Sequence, residues 1–317
     1  MATPRWSCAE FTRYTYGGEQ MTTVGEGKFQ YEVDRDWLRH KPAFWELGAC
    51  ADVGVDSQDR VWLFSRSKHP VSCWTTEGQF IGSWGDLGLD RGEFRVPHGL
   101  FIDKDDNIWL ADHQTHQVTK HNENGDVLME LGTHGYAQIT VTNTGEQGFP
   151  FNNPTGLATA TDGRLFVSDG YGNRRVHRFS ADGNLEHSWG GGGKDPGQFS
   201  ILHKVGVDKD DRVYICDREN NRIQIFDVDG NYLTEWTDVV GPGDIFFDDD
   251  VAYVVEQGGG NGISIWTLEG ELITRWRGNP DATQAAHGGW YDSQGNLYVA
   301  EIGEPGGGQR VTKFSRV

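Results

Sequence analysis

The chain has 317 residues and a formal net charge of −19, with 44 glycines, 12 tryptophans and 10 prolines. The acidic balance argues against nucleic acid and anionic membrane as partners, since both call for a basic footprint. No apolar run reaches membrane-spanning length, and four well-separated cysteines (Cys8, Cys50, Cys73, Cys216) without a CxxC pair read as free thiols of a cytosolic protein.

The N-terminal "MATPRWSCAEFTRYTYGG" lacks the apolar run of a signal peptide, which adds to the cytoplasmic expectation. The following "KFQYEVDRDWL" (28–38) alternates as a strand does. From there short alternating stretches run through the chain, such as "RVWLF", "NIWLAD", "RLFVSD" and "RVYICD". They are separated by the turn signals "TEG", "ENG", "TDG", "ADG", "VDG" and "LEG". No long helical period with caps at both ends occurs, so the chain reads as all-β.

The stretches form a repeat. Each unit is a strand, a turn opening on aspartate, a strand ending in Asp or Glu, a loop, a third strand, a Gly turn and a fourth strand ending near Trp. The turn anchors are Asp56, Asp103, Ala160, Asp208, Asp248 and Asp292, spaced by 47, 57, 48, 40 and 44 residues. That period suits four short strands with their loops. The longest spacing contains a polar insertion, residues 135–151. The reading is a single six-bladed β-propeller over residues 1–317. Its blades lie near 49–85, 97–133, 154–190, 203–237, 242–277 and 286–317, after an N-terminal segment, 1–48. The last unit supplies three strands, so the strand in 28–38 is expected to complete it and close the ring, which removes exposed edges.

Five residues before their anchors stand His98, His203 and His287, in units two, four and six. Units one, three and five carry the small residues Ala51, Thr155 and Gly243 there. In a six-fold ring, alternate blades are related by about 120°, so three imidazoles would converge on the axis. Catalytic zinc takes three protein ligands and keeps one position for water or substrate, and the small residues leave space for it. Ten residues after the anchors lie Arg66 in unit one, His113 in unit two, Gly170 followed by Tyr171 in unit three, and Arg218 in unit four. Two arginines suit an anionic substrate, because the guanidinium holds a carboxylate in a planar fork. A cation and a metal nearby would favour tyrosinate and lower the Tyr171 pKa. The remaining histidines, among them His121 and His177, are expected mostly on the surface or in loops.

The repeats resemble NHL repeats. More narrowly, "VPHGLFID", "FNNPTGLA", "FVSDGYGNRRV", "DPGQFS" and "CDRENNRIQIF" resemble the peptidyl-α-hydroxyglycine α-amidating lyase domain, best over residues 96–226. The resemblance implies that His98, His203 and His287 hold zinc and that Tyr171 acts on the substrate hydroxyl. It implies further that Arg218 supports Tyr171 and that Arg66 binds substrate. The implied reaction collapses an amide-bearing N–CH(OH)–carboxylate to amide and glyoxylate. Two positions depart from the family's pattern. Gly172 stands in place of a cysteine, and Gly288 stands where an aspartate would bind a structural calcium, so Ca²⁺ is not expected.

Three functions compete at this point. The first is a zinc lyase, or a zinc hydrolase or hydratase, acting on a small anionic or amide-bearing substrate. The second is a non-catalytic NHL scaffold. The third is a calcium-dependent lactonase-type propeller, which would place carboxylates and amides around the axis instead of histidines.

Overall fold

A computed structural model describes residues 14–16, 19–43, 45–138, 151–303 and 309–317. Most of the polar insertion and Cys8 lie outside the described residues. The structure is a six-bladed β-propeller. Among the described residues there is no α-helix, and two short 3₁₀ turns occur at Trp37–His40 and Arg218–Asn220. Among the described residues no helix is long and apolar enough to cross a membrane.

Five blades are four-stranded antiparallel sheets. Their innermost strands are Cys50–Val55, Pro97–Ile102, Gly156–Thr159, Leu202–Val207 and Pro242–Phe247. The sixth sheet runs outward from Ala286–Tyr291 through Leu297–Ile302 and Gln309–Arg316, and then continues with strands from the other end of the chain. Phe29–Asp34 pairs antiparallel with Gln309–Arg316, Phe314 lying opposite Val33. The closing strand is therefore present, and it is shorter than 28–38, since Trp37–His40 has turned into a 3₁₀ turn. The N-terminus also adds more than one strand: Glu19–Glu26 and Tyr14–Tyr16 extend the same sheet outward.

Second strands such as Val61–Ser65 and Ile108–Asp112 are buried along their whole length, and the outer ones alternate toward solvent, as in Phe80–Trp84. Six apolar clusters result, each between two neighbouring blades. Phe29, Tyr31 and Val33 of the closing strand belong to the cluster shared with blade five. Closure thus covers apolar surface as well as satisfying the backbone of the last blade.

The anchor aspartates have a common task. One oxygen accepts N–H groups of the turn, and the other takes a ring donor from the second strand. Trp62 Nε1 donates to Asp56 at 2.8 Å, Trp109 Nε1 to Asp103 at 3.0 Å, Tyr214 Oη to Asp208 at 3.0 Å, Tyr253 Oη to Asp248 at 2.9 Å and Tyr298 Oη to Asp292 at 2.9 Å. Blade three has Ala160 as its anchor, and the ring in the matching place is Phe166, buried with no donor to satisfy. The exception explains the rule: the anchor is acidic where the ring has a proton to give. Neighbouring turns are also tied together. Asp106, Asp211 and Asp59, each at positive φ, accept from the backbone and hydroxyl of Ser57, Thr161 and Ser293 of the preceding blade. Aspartate is among the few residues that adopt this conformation cheaply.

Two outcomes follow for stability. Removing residues 1–36 takes away the closing strand and bares the edge at Gln309–Arg316, so the truncated chain is expected to aggregate or unfold. A truncation that stays monomeric in size-exclusion chromatography with an unchanged melting midpoint would contradict this. Asp248→Ala leaves the Tyr253 hydroxyl without its acceptor and should cost about 1–3 kcal/mol. Tyr253→Phe added to Asp248→Ala should cost less than Tyr253→Phe alone, with a coupling of about 0.5–2 kcal/mol in a double-mutant cycle. Additivity in urea unfolding would show that the pair does not act together.

Candidate functional site

The site begins with an irregularity of the innermost strands. In five blades the pairing between first and second strand slips by one residue, between Cys50 and Asp52, Pro97 and Gly99, Leu202 and Lys204, Pro242 and Asp244, and Ala286 and Gly288. The residue skipped is Ala51, His98, His203, Gly243 or His287. Such a bulge bends the strand and re-aims the side chain it carries. Outside blade one, whose second strand ends in Ser65, the loops leading into these bulges are braced by the acid at the end of the second strand. Asp112 accepts the N–H groups of Arg95 and Val96 at 2.7 and 2.9 Å, Asp217 that of Ser200 at 2.8 Å, and Glu301 those of Gln284 and Ala285 at 2.9 and 3.2 Å.

His98, His203 and His287 meet at the axis. Their ring centroids lie 4.7 to 4.9 Å apart, and one ring nitrogen from each falls within 4.8 Å of the others. They are 2, 1 and 4 % exposed. Each Nδ1 lies 2.6 Å from a backbone carbonyl of the following blade: His98 with Thr155, His203 with Gly243 and His287 with Ala51. These are the small residues that share the histidines' register. A carbonyl only accepts, so each Nδ1 carries the proton and each Nε2 presents a lone pair. Burial, reinforced by His287 and His203, holds His98 well below the usual histidine range. Burial, then His287 and Arg218, does the same to His203. Burial, aided by Arg66, Lys204 and Arg218, pushes His287 down to about 3. Three neutral imidazoles with convergent lone pairs are a donor set for a metal ion, and they could hold one. The buried Nε2 of His203 has no hydrogen-bond partner among the described residues, which leaves its lone pair free for a ligand.

The next residue along each innermost strand forms a second layer. Lys204 is buried there and its ammonium bridges Asp244 Oδ2, at 3.1 Å, and Asp52 Oδ2. The two carboxylates raise the lysine pKa above its ordinary value although burial opposes them. Gly288, facing Asp52, is enforced by space, since a Cβ there would collide with Asp52 Oδ1.

The ring of residues ten after the anchors is set by one hydrogen bond. The N–H of Arg66 donates to Ala49 O at 2.9 Å, that of His113 to Val96 O at 3.3 Å, and that of Arg218 to Ile201 O at 2.9 Å. Gln257 and Ile302 make the same bond, to Gly241 O at 2.8 Å and Ala285 O at 3.0 Å. Each acceptor lies two residues before the register of the histidines, so the ring stands directly over the metal-type cluster. Gln257 was not singled out by the spacing because the blade-five turn is one residue shorter, closing from Asp248 to Val251 where Asp56 closes to Arg60.

Tyr171 reaches the cluster: its hydroxyl lies 3.0 Å from His98 Nε2, to which it donates. Arg218 lies over the Tyr171 ring at 5.9 Å and donates to Gln257 Oε1 at 3.1 Å and Glu219 Oε1 at 3.0 Å. Arg66 is half-buried and donates to Pro97 O at 3.2 Å. His113 packs edge-on at 5.8 Å from His98 and 5.5 Å from Tyr171, with Nδ1 buried and unpartnered. Burial, aided by Arg66, lowers it to about 4. Burial raises the Tyr171 phenol above its ordinary value, and Arg218 and Arg66 oppose this without reversing it. Most of the other histidines lie in loops or exposed, with two exceptions buried in strands, His121 between Gly125 O and Thr119 Oγ1 and His177 against Ser188 and Asp169.

Comparison with known proteins agrees with this architecture. The NHL repeat description matches residues 151–179 and 199–226. Human NHL repeat-containing protein 3 is 30% identical over 244 residues, which are 72% of this chain and 67% of that protein. Rat peptidylglycine α-amidating monooxygenase is 32% identical over 233 residues, 64% of this chain and 23% of its own length. The Caenorhabditis elegans protein named probable peptidyl-α-hydroxyglycine α-amidating lyase is 28% identical over 242 residues, 67% of this chain and 66% of its own length. The chain therefore spans about two thirds of two of these relatives and about a quarter of the third. Among solved structures, a gluconolactonase from Xanthomonas campestris superposes with a TM-score of 0.63 at 13% identity, covering 98% of this chain and 96% of that one, a likeness of fold. Repeat, propeller and relatives agree: the chain belongs to the NHL-repeat family that includes NHL repeat-containing protein 3 and the peptidyl-α-hydroxyglycine α-amidating lyases.

Proposed function

We propose that the protein is a zinc-dependent lyase of the amidating-lyase type, acting on a small N-(α-hydroxyalkyl) amide that carries a carboxylate. The observation that supports it best is the contact of the Tyr171 hydroxyl with His98 Nε2, 3.0 Å, beneath the guanidinium of Arg218. A phenol, a metal-type cluster and a cation stand together where one substrate hydroxyl could meet all three.

His98, His203 and His287 would hold the metal through Nε2, the Tyr171 hydroxyl then giving up its bond to His98 while staying beside the cluster. Zinc bound there supplies positive charge that lowers the pKa of a hydroxyl brought to it. The chain's own residues do the rest. Arg66, with no carboxylate within ion-pair distance among the described residues, is available to fork onto the substrate carboxylate. Tyr171 takes the proton of the substrate hydroxyl through its oxygen, and Arg218 stabilises the phenolate form. The carbon–oxygen bond becomes double, the carbon–nitrogen bond breaks, and the amide nitrogen leaves with the electron pair. Tyr171 returns the proton to that nitrogen. Amide and glyoxylate-like aldehyde result, and no water is consumed.

Each of His98→Ala, His203→Ala and His287→Ala is expected to lower zinc content and abolish turnover while the circular dichroism of the β fold persists. Full zinc occupancy in all three by elemental analysis would remove the metal from this reading. Tyr171→Phe should keep zinc and bind substrate, but lower kcat by about 10²–10⁴, the usual contribution of a positioned proton-transfer group. Near-normal kcat with α-hydroxyhippurate as test substrate would exclude the tyrosine as base.

A further inference from the structure

Gln257 has no part in the steps above, yet it lies in the ring over the cluster and touches Arg218. The guanidinium has two competing partners. Glu219, the next residue, is half-exposed and draws the Nε toward solvent. Gln257 holds Nη1 on the inner side at 3.1 Å. To do so its side chain crosses the backbone of Gly243, where an added Cβ would sit 2.6 Å from Nε2 and 2.7 Å from Cδ. Gly243 is also the residue whose carbonyl accepts the Nδ1–H of His203. A continuous chain of contacts therefore runs from His98 through Tyr171, Arg218 and Gln257 to Gly243 and His203. The glycine at this register position is what lets the carboxamide pass.

The chemical type of residue 257 matters as much as its place. A glutamate would reach Arg218 equally well and form a stronger, charge-assisted bond. It would also neutralise the guanidinium inside the site. The carboxamide fixes the group and leaves its charge unspent. The surroundings agree: among the described residues the only carboxylate within ion-pair distance of Arg218 is the half-exposed Glu219, and none lies so close to Arg66. A chain with a net charge of −19 thus keeps around one centre one arginine, Arg66, without a carboxylate partner among the described residues and a second, Arg218, paired only with the half-exposed Glu219.

We propose that Gln257 is a positioning and specificity-determining residue: it holds Arg218 by a neutral hydrogen bond, so that the guanidinium stays fixed beside Tyr171 and its charge adds to that of Arg66 in attracting a carboxylate on the bound substrate. The inference rests on the substrate class proposed above. It predicts that selectivity for anion over neutral analogue is set at position 257.

The test uses zinc-loaded full-length protein and two probes that differ by one group, N-acetylglycinate and N-acetylglycinamide, with dissociation constants measured by calorimetry. The wild type should prefer the carboxylate. Gln257→Glu keeps shape and hydrogen bond, and should weaken N-acetylglycinate by about ten- to hundred-fold, the range for a bond to a charged group, while N-acetylglycinamide changes by less than about two-fold. Gln257→Leu frees Arg218 to follow Glu219 and should also lose the preference. Gly243→Ala, which forces the carboxamide aside, should behave like Gln257→Leu although residue 257 is unchanged. Zinc content and melting midpoint, measured for each variant, separate these effects from loss of the fold. If Gln257→Glu binds both probes as the wild type does while the wild type still releases glyoxylate from α-hydroxyhippurate, this inference fails and the lyase reading stands. If the wild type shows no preference for the carboxylate, the inference and the anionic substrate fall together.

Discussion

The arrangement at the axis depends on one hydrogen bond made three times, from an imidazole Nδ1–H to the carbonyl of the equivalent residue in the following blade. The bond fixes the tautomer and the ring plane, and it turns Nε2 inward. It also explains the alternation of histidine with small residues. A histidine needs a neighbour that offers a bare carbonyl, and that neighbour cannot itself fill the channel with a large side chain. Orientation of a ligand by a second set of contacts is the general means by which a protein tunes a metal site. Here those contacts are backbone atoms at one register position, so no further side chain is needed.

Below the imidazoles the channel changes character with each layer. The ammonium of Lys204 and the carboxylates of Asp52 and Asp244 make a buried charged layer that links blades four, one and five. Removing one partner of such a set leaves an uncompensated buried charge, which costs several kcal/mol, about 3–5 in typical cases. Two residues further along the strands an aromatic layer follows, in which Trp290 meets Phe101 at 6.0 Å and Phe246 at 5.7 Å. The charged layer thus lies between the imidazoles and the aromatic layer of the channel.

The repeat made most of the fold legible in the sequence. Strands, turns and the closing segment follow from alternation and from aspartates at a regular spacing, and the bonds of Asp56, Asp103, Asp208, Asp248 and Asp292 to ring donors give the spacing its cause. His98, His203 and His287 were legible for the same reason. What escaped was contact that crosses the ring. The register alone could not say that Lys204 would meet Asp52, which is 152 residues away. It also hid Gln257, because a fixed offset from the anchor fails where a turn loses a residue. The balance between burial and charge at Tyr171 was out of reach too: two arginines pull its pKa down, and only the packed structure shows that desolvation outweighs them.

Closure by the first strands has a consequence for biosynthesis. His98 and His203 are made early, but His287 donates to Ala51 across 236 residues of chain. Its blade is completed by residues 29–34 pairing with residues 309–316. Contacts so distant in sequence form late, because the entropy of bringing the ends together must be met first. Until residues 309–316 have paired with the closing strand, the blade that carries His287 is incomplete. The complete cluster comes into being only when the ring has shut, so its occupancy by a metal would report on closure of the propeller.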